Sequence, residues 1–318
     1  MMIKNVKENT MSTIRTSVSF DKVSGKYTCK IGQAKPFKTT KKSHIVWRYK
    51  QETGLDLTYD QIVASDVAIQ TERDEKFGIN TRFEFVEKLV NMVASGVQPS
   101  AVITGEGGLG KTYTVTKTLA SAGYTDISNL ADFQVGSVIN TKKCFTQIKG
   151  FSTAKGLYRS LFENNNSIIV FDDCDSVLKD PVALNILKGA LDSYGKRIIS
   201  WNADMRDDDL PKSFEFTGRV IFISNMSQSG IDQAIRSRSM MIDLSMNSEQ
   251  KLERMEHIAM SDEFMPEYDK SIKSDALGLI REIQEDCKEI SLRTLIAVSK
   301  IRSANKDWKD LATYMLTA

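Results

Sequence analysis

The chain has few of the residues that build metal centres and disulfide frameworks. Its four cysteines, Cys29, Cys144, Cys174 and Cys287, lie far apart with no C-x-x-C spacing, and His44 and His257 are its only imidazoles. That usage argues against a zinc site and against a disulfide scaffold. No apolar run approaches the roughly 18 residues needed to span a bilayer, and no signal-peptide pattern opens the chain. No internal repeat of useful length is present. The expectation is a reduced, soluble, cytoplasmic protein that makes no membrane contact.

What the chain does hold is an ordinary globular composition. Of 318 residues, 41% are hydrophobic and 26% charged, too apolar for disorder and long enough for about two compact units. The net charge of +2 conceals a division. Residues 1–50 carry twelve Lys/Arg against Glu8 and Asp21, whereas the remainder carries 31 basic and 39 acidic residues. A basic N-terminal arm thus precedes an acidic body.

The basic segment contains one hairpin pattern, VSFDKV and KYTCKIG on either side of Gly25. Two short helices fit around Gly54 between Ile45 and Ser65. From about Glu72 the pattern changes to helices alternating with short apolar runs: Ala101–Thr104, Ser167–Phe171, Arg219–Ser224 and Met240–Leu244. Runs of this kind suit strands buried on both faces of a parallel sheet. One intervening helix lies between Thr112 and Gly123, with Val115, Leu119 and Ala122 on one face. A second has Ser152 as N-cap and buries Leu157, Tyr158, Leu161 and Phe162. A third opens with Asp180-Pro181 and runs to Gly195. After Leu244 the strand pattern ends, and Ser248–Ser261, Ser274–Glu289 and Ser291–Arg302 read as amphipathic helices, each with Ser at its N-cap. The fold class is therefore α/β, with a layered core and a small helical unit behind it. Boundaries are set at 1–71, 72–246 and 247–318.

The strongest chemical signal is GEGGLGKT, Gly105 to Thr112, between a strand and a helix. Gly105, Gly107, Gly108 and Gly110 let backbone N–H groups wrap phosphates. Lys111 reaches the outer phosphates, the Thr112 hydroxyl ligates Mg²⁺, and Tyr113 completes the nucleotide-binding set. About sixty residues on, IIVFDD ends a buried strand expected beside the phosphate-loop strand. Asp172 suits the magnesium site, and Asp173 suits orienting and polarising the attacking water.

With these two motifs in place the chain resembles the AAA+ ATPases over residues 72–302, and further motifs follow in that family's order. The resemblance implies a three-layer αβα core with a helical lid, ATP and Mg²⁺ as cofactors, and ATP hydrolysis. It implies a sensor role for Asn225 at the end of RVIFISN, an arginine finger at Arg238 in IDQAIRSRS, and a second sensor at Arg293 in SLRTL. Arg236 competes with Arg238 for the finger role. A finger supplied in trans is worth about 10³–10⁵ in rate, so the resemblance implies a homo-oligomer, a hexamer in most of the family. Gly78 and Ile79 in FGINTR match an adenine-contacting segment, though they equally suit a helix-entry turn. The chain departs from the family pattern at Asp173, which stands where Glu is usual. One methylene fewer implies slower hydrolysis.

Substrate signals are mixed. RIISW and SFEFT flank an acidic tip with Asp204, Asp207, Asp208 and Asp209 against Arg206, similar to the hairpin of viral replicative helicases, branch-migration motors and ring-shaped unfoldases, but repellent to a phosphate backbone. Phe151 beside Gly150 stands near the position where protein-unfolding rings grip a chain, and also suits a hydrophobic staple for the Ser152 helix. The basic arm, with Tyr27, Trp47 and Tyr49 interspersed, suits phosphate contact, an acidic partner or a solvated tail. The leading expectation is a remodelling ATPase of nucleic-acid metabolism, such as a helicase-like motor or a replication-protein loader. A protein remodeller acting on a protein client and an ATP-dependent scaffold are the alternatives. The compact plan is similar to ATPases carried by phages, which would place it in the host cytoplasm.

Overall fold

The computed structural model describes residues 16–21, 26–31, 35–53, 58–59, 62, 76–129, 143–150, 152–192, 195–201 and 210–318. The chain divides into two compact units, Met1–Gly78 and Ile79–Ala318.

In the smaller unit, β1 (Thr16–Asp21) and β2 (Lys26–Ile31) pair antiparallel, with Thr16 opposite Ile31 and Asp21 opposite Lys26. β3 (Phe37–Thr39) takes the other edge of β2. The expected hairpin is present, while its turn at Gly25 lies outside the described residues. α1 (Lys42–Thr53) supplies the first of the two short helices expected there; Gly54 is outside the described residues. Cys29, Ile31, Ile45, Tyr49 and Ile62 bury together. The basic segment therefore folds around an apolar core of its own.

The larger unit holds β4 (Ser100–Thr104), β5 (Thr125–Asp126), β6 (Cys144–Lys149), β7 (Ile168–Asp172), β10 (Arg219–Ser224) and β11 (Met240–Asp243) in one parallel sheet, in the order β11-β4-β10-β7-β6-β5. β7 is thus not the neighbour of β4, as expected from the sequence. β10 lies between them, and Val220–Ser224 is buried along its whole length, as are β4 and β7. Alternate strand residues feed two cores. Ala101, Ile103, Ile168, Val170, Ile221 and Ile223 face one side, and Val102, Ile169, Phe171, Val220 and Phe222 the other. The first face is covered by α2 (Ile79–Ala94) and α3 (Lys111–Ser121). The second is covered by α4 (Ala154–Glu163), α5 (Pro181–Ala190) and α6 (Gln233–Arg238). The result is an α/β core of three layers. Between α5 and β10, β8 (Ile198–Ser200) and β9 (Ser213–Glu215) pair antiparallel; the acidic tip they were expected to carry lies outside the described residues.

Helix starts follow capping chemistry more closely than apolar periodicity. Thr153, not Ser152, caps α4, its hydroxyl accepting from Gly156 N at 3.1 Å. Asp180 caps α5 as expected, with Pro181 in the first turn, but the helix ends at Ala190 rather than Gly195. Asn247 displaces Ser248 as cap of α7 (Ser248–Ala259), because Gln250 closes a reciprocal capping box with it. α8 (Lys270–Glu282) starts after Asp269, so Ser274 lies inside it, and α9 (Leu292–Ala304) is capped by Ser291 as read. A fourth C-terminal helix, α10 (Trp308–Thr317), was missed; Trp308, Ala312 and Leu316 bury at helical spacing. These helices share one apolar core with α2, α3 and the sheet. Among the described residues no helix is long and apolar enough to cross a membrane.

Candidate active site

The glycine loop between β4 and α3 is built by backbone geometry. Gly105, Gly108 and Gly110 have φ of 131°, 79° and 95°, the left-handed region where a side chain costs energy. A Cβ on Gly105 would stand 2.7 Å from the Leu244 carbonyl carbon, and one on Gly108 would stand 2.9 Å from Ser291 Cβ. Gly110 itself is the N-cap of α3, and no side-chain hydrogen bond closes that first turn. An uncapped helix start at the end of a strand is an anion-binding arrangement.

Three polar side chains from distant parts of the chain meet at this loop. Lys111 Nζ donates to Gly105 O at 2.6 Å, to Glu106 O at 2.5 Å and to Asn225 Oδ1 at 2.9 Å. Asn225 Nδ2 donates in turn to Asp173 Oδ1 at 2.7 Å. Beside them, Thr112 Oγ1 donates to both oxygens of Asp172, at 3.0 and 3.1 Å. The sheet order explains the meeting. β10 lies between β4 and β7, so Asn225 just beyond its end falls between the loop and Asp173. Asp173 has φ 56°, a conformation Asp tolerates better than most residues. Its N–H donates to Ile223 O at 3.1 Å.

Burial dominates the electrostatics. It pulls Lys111 down to about 8, against Asp173, Asp172, Glu106 and Asp175, which favour its charged form. Burial also raises the Asp172 carboxyl above its usual range, opposed by the Thr112 hydrogen bond. A buried ammonium facing main-chain carbonyls and a buried carboxylate are each stabilised by a ligand of opposite charge. A Cβ at Gly105 or Gly108 would collide with Leu244 or Ser291, so the loop carries no side chains there and its main-chain N–H groups could take a phosphate chain. The hydroxyl and carboxylate of Thr112 and Asp172 form an oxygen donor pair that could hold Mg²⁺.

The loop is backed by the C-terminal helices. Leu292 N donates to Gly108 O at 2.8 Å, and Lys251 on α7 pairs with Glu106. A cleft of about 650 Å³ opens here, with Gly107, Asn225, Lys251, Glu289 and Arg293 among its lining residues. Arg293, the expected second sensor, thus shares a cavity wall with Asn225.

Comparison with known proteins finds a likeness to a phage protein. The chain is 29% identical over 287 residues, 84% of its length and 82% of the other's, to a protein of Enterobacteria phage T4 described as an uncharacterized 36.7 kDa protein in the nrdC-mobD intergenic region. No family model matches the chain.

Other expected residues stand apart from this cluster. Arg238 lies at the end of α6, where its Nη1 donates to Ala234 O at 3.1 Å. The Nε atoms of Arg236 and Arg238 are buried without a hydrogen-bond partner. Tyr113 is exposed on α3 and donates to Glu263. Ile79 is buried as the first residue of α2, and Gly78 just before it is exposed. Phe151, Asp204, Arg206, Asp207, Asp208 and Asp209 lie outside the described residues.

Two supporting residues escaped sequence reasoning. Gln147 on β6 donates to Asp172 Oδ2 at 3.3 Å, and Ser224 donates to Asp175 Oδ1 at 2.6 Å. The signal for the first was a polar residue in the strand-like run FTQIK; nothing local distinguished the second.

Proposed function

We propose that this chain binds ATP with Mg²⁺ and hydrolyses it as an AAA+-type motor that remodels a macromolecule in nucleic-acid metabolism. The observation that carries this reading is the convergence of Lys111, Asn225 and Asp173, with Thr112 on Asp172, at one end of the parallel sheet. Lys111 and the loop N–H groups would bind the phosphates, and Thr112 and Asp172 would hold the metal. Bound Mg²⁺ supplies neutralising charge on the phosphate oxygens. Asp173, steadied by Asn225, would accept a proton from the attacking water.

Arg238 supports a shared site. Its finger role rests on the family resemblance and would make the working form a homo-oligomer, a hexamer by that resemblance; in its own chain Arg238 Nη1 donates to Ala234 O. The nucleic-acid assignment is supported by the charge of the N-terminal unit. The sparse, widely spaced cysteines suit the cytoplasm, that of a bacterial host if the chain, like its T4 relative, is phage-encoded.

An ATPase assay with single-stranded DNA, duplex DNA, RNA and unfolded protein as stimulants tests the reading. Turnover that rises with nucleic acid and is lost in Lys111→Ala is the expected result. Undiminished turnover in Lys111→Ala overturns the site assignment, and stimulation by unfolded protein alone overturns the nucleic-acid assignment.

A further inference from the structure

Phe37, His44 and Trp47 form an aromatic row in the smaller unit. Phe37 lies on β3, and the other two lie three residues apart on one face of α1. The Phe37 and His44 ring centroids are 5.4 Å apart, and those of His44 and Trp47 are 5.9 Å apart with planes inclined by 35°. The Arg48 guanidinium sits 5.6 Å from the Phe37 ring centroid. Trp47 leaves 54% of its surface in solvent, and it is not part of the apolar core formed by Cys29, Ile31, Ile45, Tyr49 and Ile62. An indole that contributes so little to the core, beside the His44 ring that in turn neighbours Phe37, is a surface for stacking.

The charge along this stretch has one sign. Residues 22–51 contain nine Lys/Arg and no Asp or Glu. Lys35, Lys38 and Lys41, which flank Phe37 and lead into α1, are exposed. Glu52, the first carboxylate to follow, is already paired with Arg48 at 3.2 Å.

We propose that this row binds single-stranded nucleic acid, with bases stacked on Trp47 and His44 and phosphates held by the flanking lysines. Exposed rings next to lysines match a chain whose bases and phosphates are both open. A duplex hides its base faces. An acidic peptide would satisfy the lysines and leave the indole idle. The proposal rests on the nucleic-acid part of the function proposed above and requires neither Lys111 nor Asp173.

The test uses the full chain without nucleotide, titrated into fluorescein-labelled oligothymidine, oligouridine and duplex DNA, with polyglutamate as competitor. The single strands are expected to bind more tightly than the duplex, and tight binding of either the deoxy or the ribo strand supports the site. Trp47→Ala should weaken that binding about tenfold or more, and Trp47→Phe should recover most of it. Replacing Lys38 and Lys41 together by Ala should reduce the salt slope by roughly 1.4. Lys111→Ala should leave strand affinity intact, which separates failure at this row from failure of the ATPase reading. Unchanged affinity in a Trp47→Ala variant with wild-type melting temperature overturns the proposal, as does polyglutamate displacing the strand mole for mole.

Discussion

Lys111 donates to Asn225 Oδ1 across 2.9 Å, although 114 positions separate the two residues in the chain. The same carboxamide donates to Asp173, so one neutral side chain spaces a cation from a carboxylate that would otherwise compete for it. Asn225→Ala should therefore keep ATP binding and lose turnover by roughly 10²-fold, the scale of a single lost donor at a reacting centre. Fluorescent-nucleotide binding beside steady-state turnover checks this, and unchanged turnover would remove Asn225 from the machinery.

Arg238 and Asp173 should complement each other across subunits. Each of Arg238→Ala and Asp173→Asn is expected to bind ATP with turnover reduced by about 10²-fold or more. Mixed together they should regain part of the activity, because some interfaces receive both intact groups. Mixtures that assemble yet stay inactive would exclude a finger supplied in trans.

The glycine loop should tolerate a methyl group at neither Gly105 nor Gly108, for different reasons. At Gly105 the obstacle is the Leu244 backbone, which has no rotamer to change. At Gly108 it is the Ser291 side chain. The left-handed φ adds roughly 1–3 kcal/mol of strain in either case. Urea unfolding should show Gly105→Ala as the more destabilised, with Ser291→Gly restoring part of the loss only in the Gly108→Ala background.

Glu263 gives a pH signature. Its hydrogen bonds from Lys117 and Tyr113 hold its carboxyl below the ordinary glutamate range. A carboxyl lowered in the folded state stabilises above its unfolded value, and that contribution is lost as pH falls through the folded one. Glu263→Gln should therefore melt below the wild type at pH 7, and the two curves should converge in acid. A gap that persists at low pH would mean that packing rather than charge is lost.

Much of the core was legible because its signals are local. β4, β7, β10 and β11 lie on four short apolar runs, and the uncapped helix after GEGGLGKT follows from the glycines. What was not legible depended on order in space. The insertion of β10 between β4 and β7 leaves no mark on either strand's own residues, yet it sets the position of Asn225. Asp175 acquires its partner Ser224 through that order, and Gln147 reaches Asp172 through the pairing of β6 with β7. The C-terminal helix starts were misread where Asn247 out-competed Ser248 as a cap and where α8 began at Lys270, upstream of Ser274, and α10 was overlooked although Trp308, Ala312 and Leu316 carry its period.

The bond from Leu292 N to Gly108 O ties the glycine loop to the start of α9. The C-terminal helices cannot swing away without breaking that bond or dragging Gly108 with them. Loop shape and helix position therefore form a single mechanical coordinate: a change in the glycine loop reaches the helices through the main chain itself, with no side chain acting as messenger.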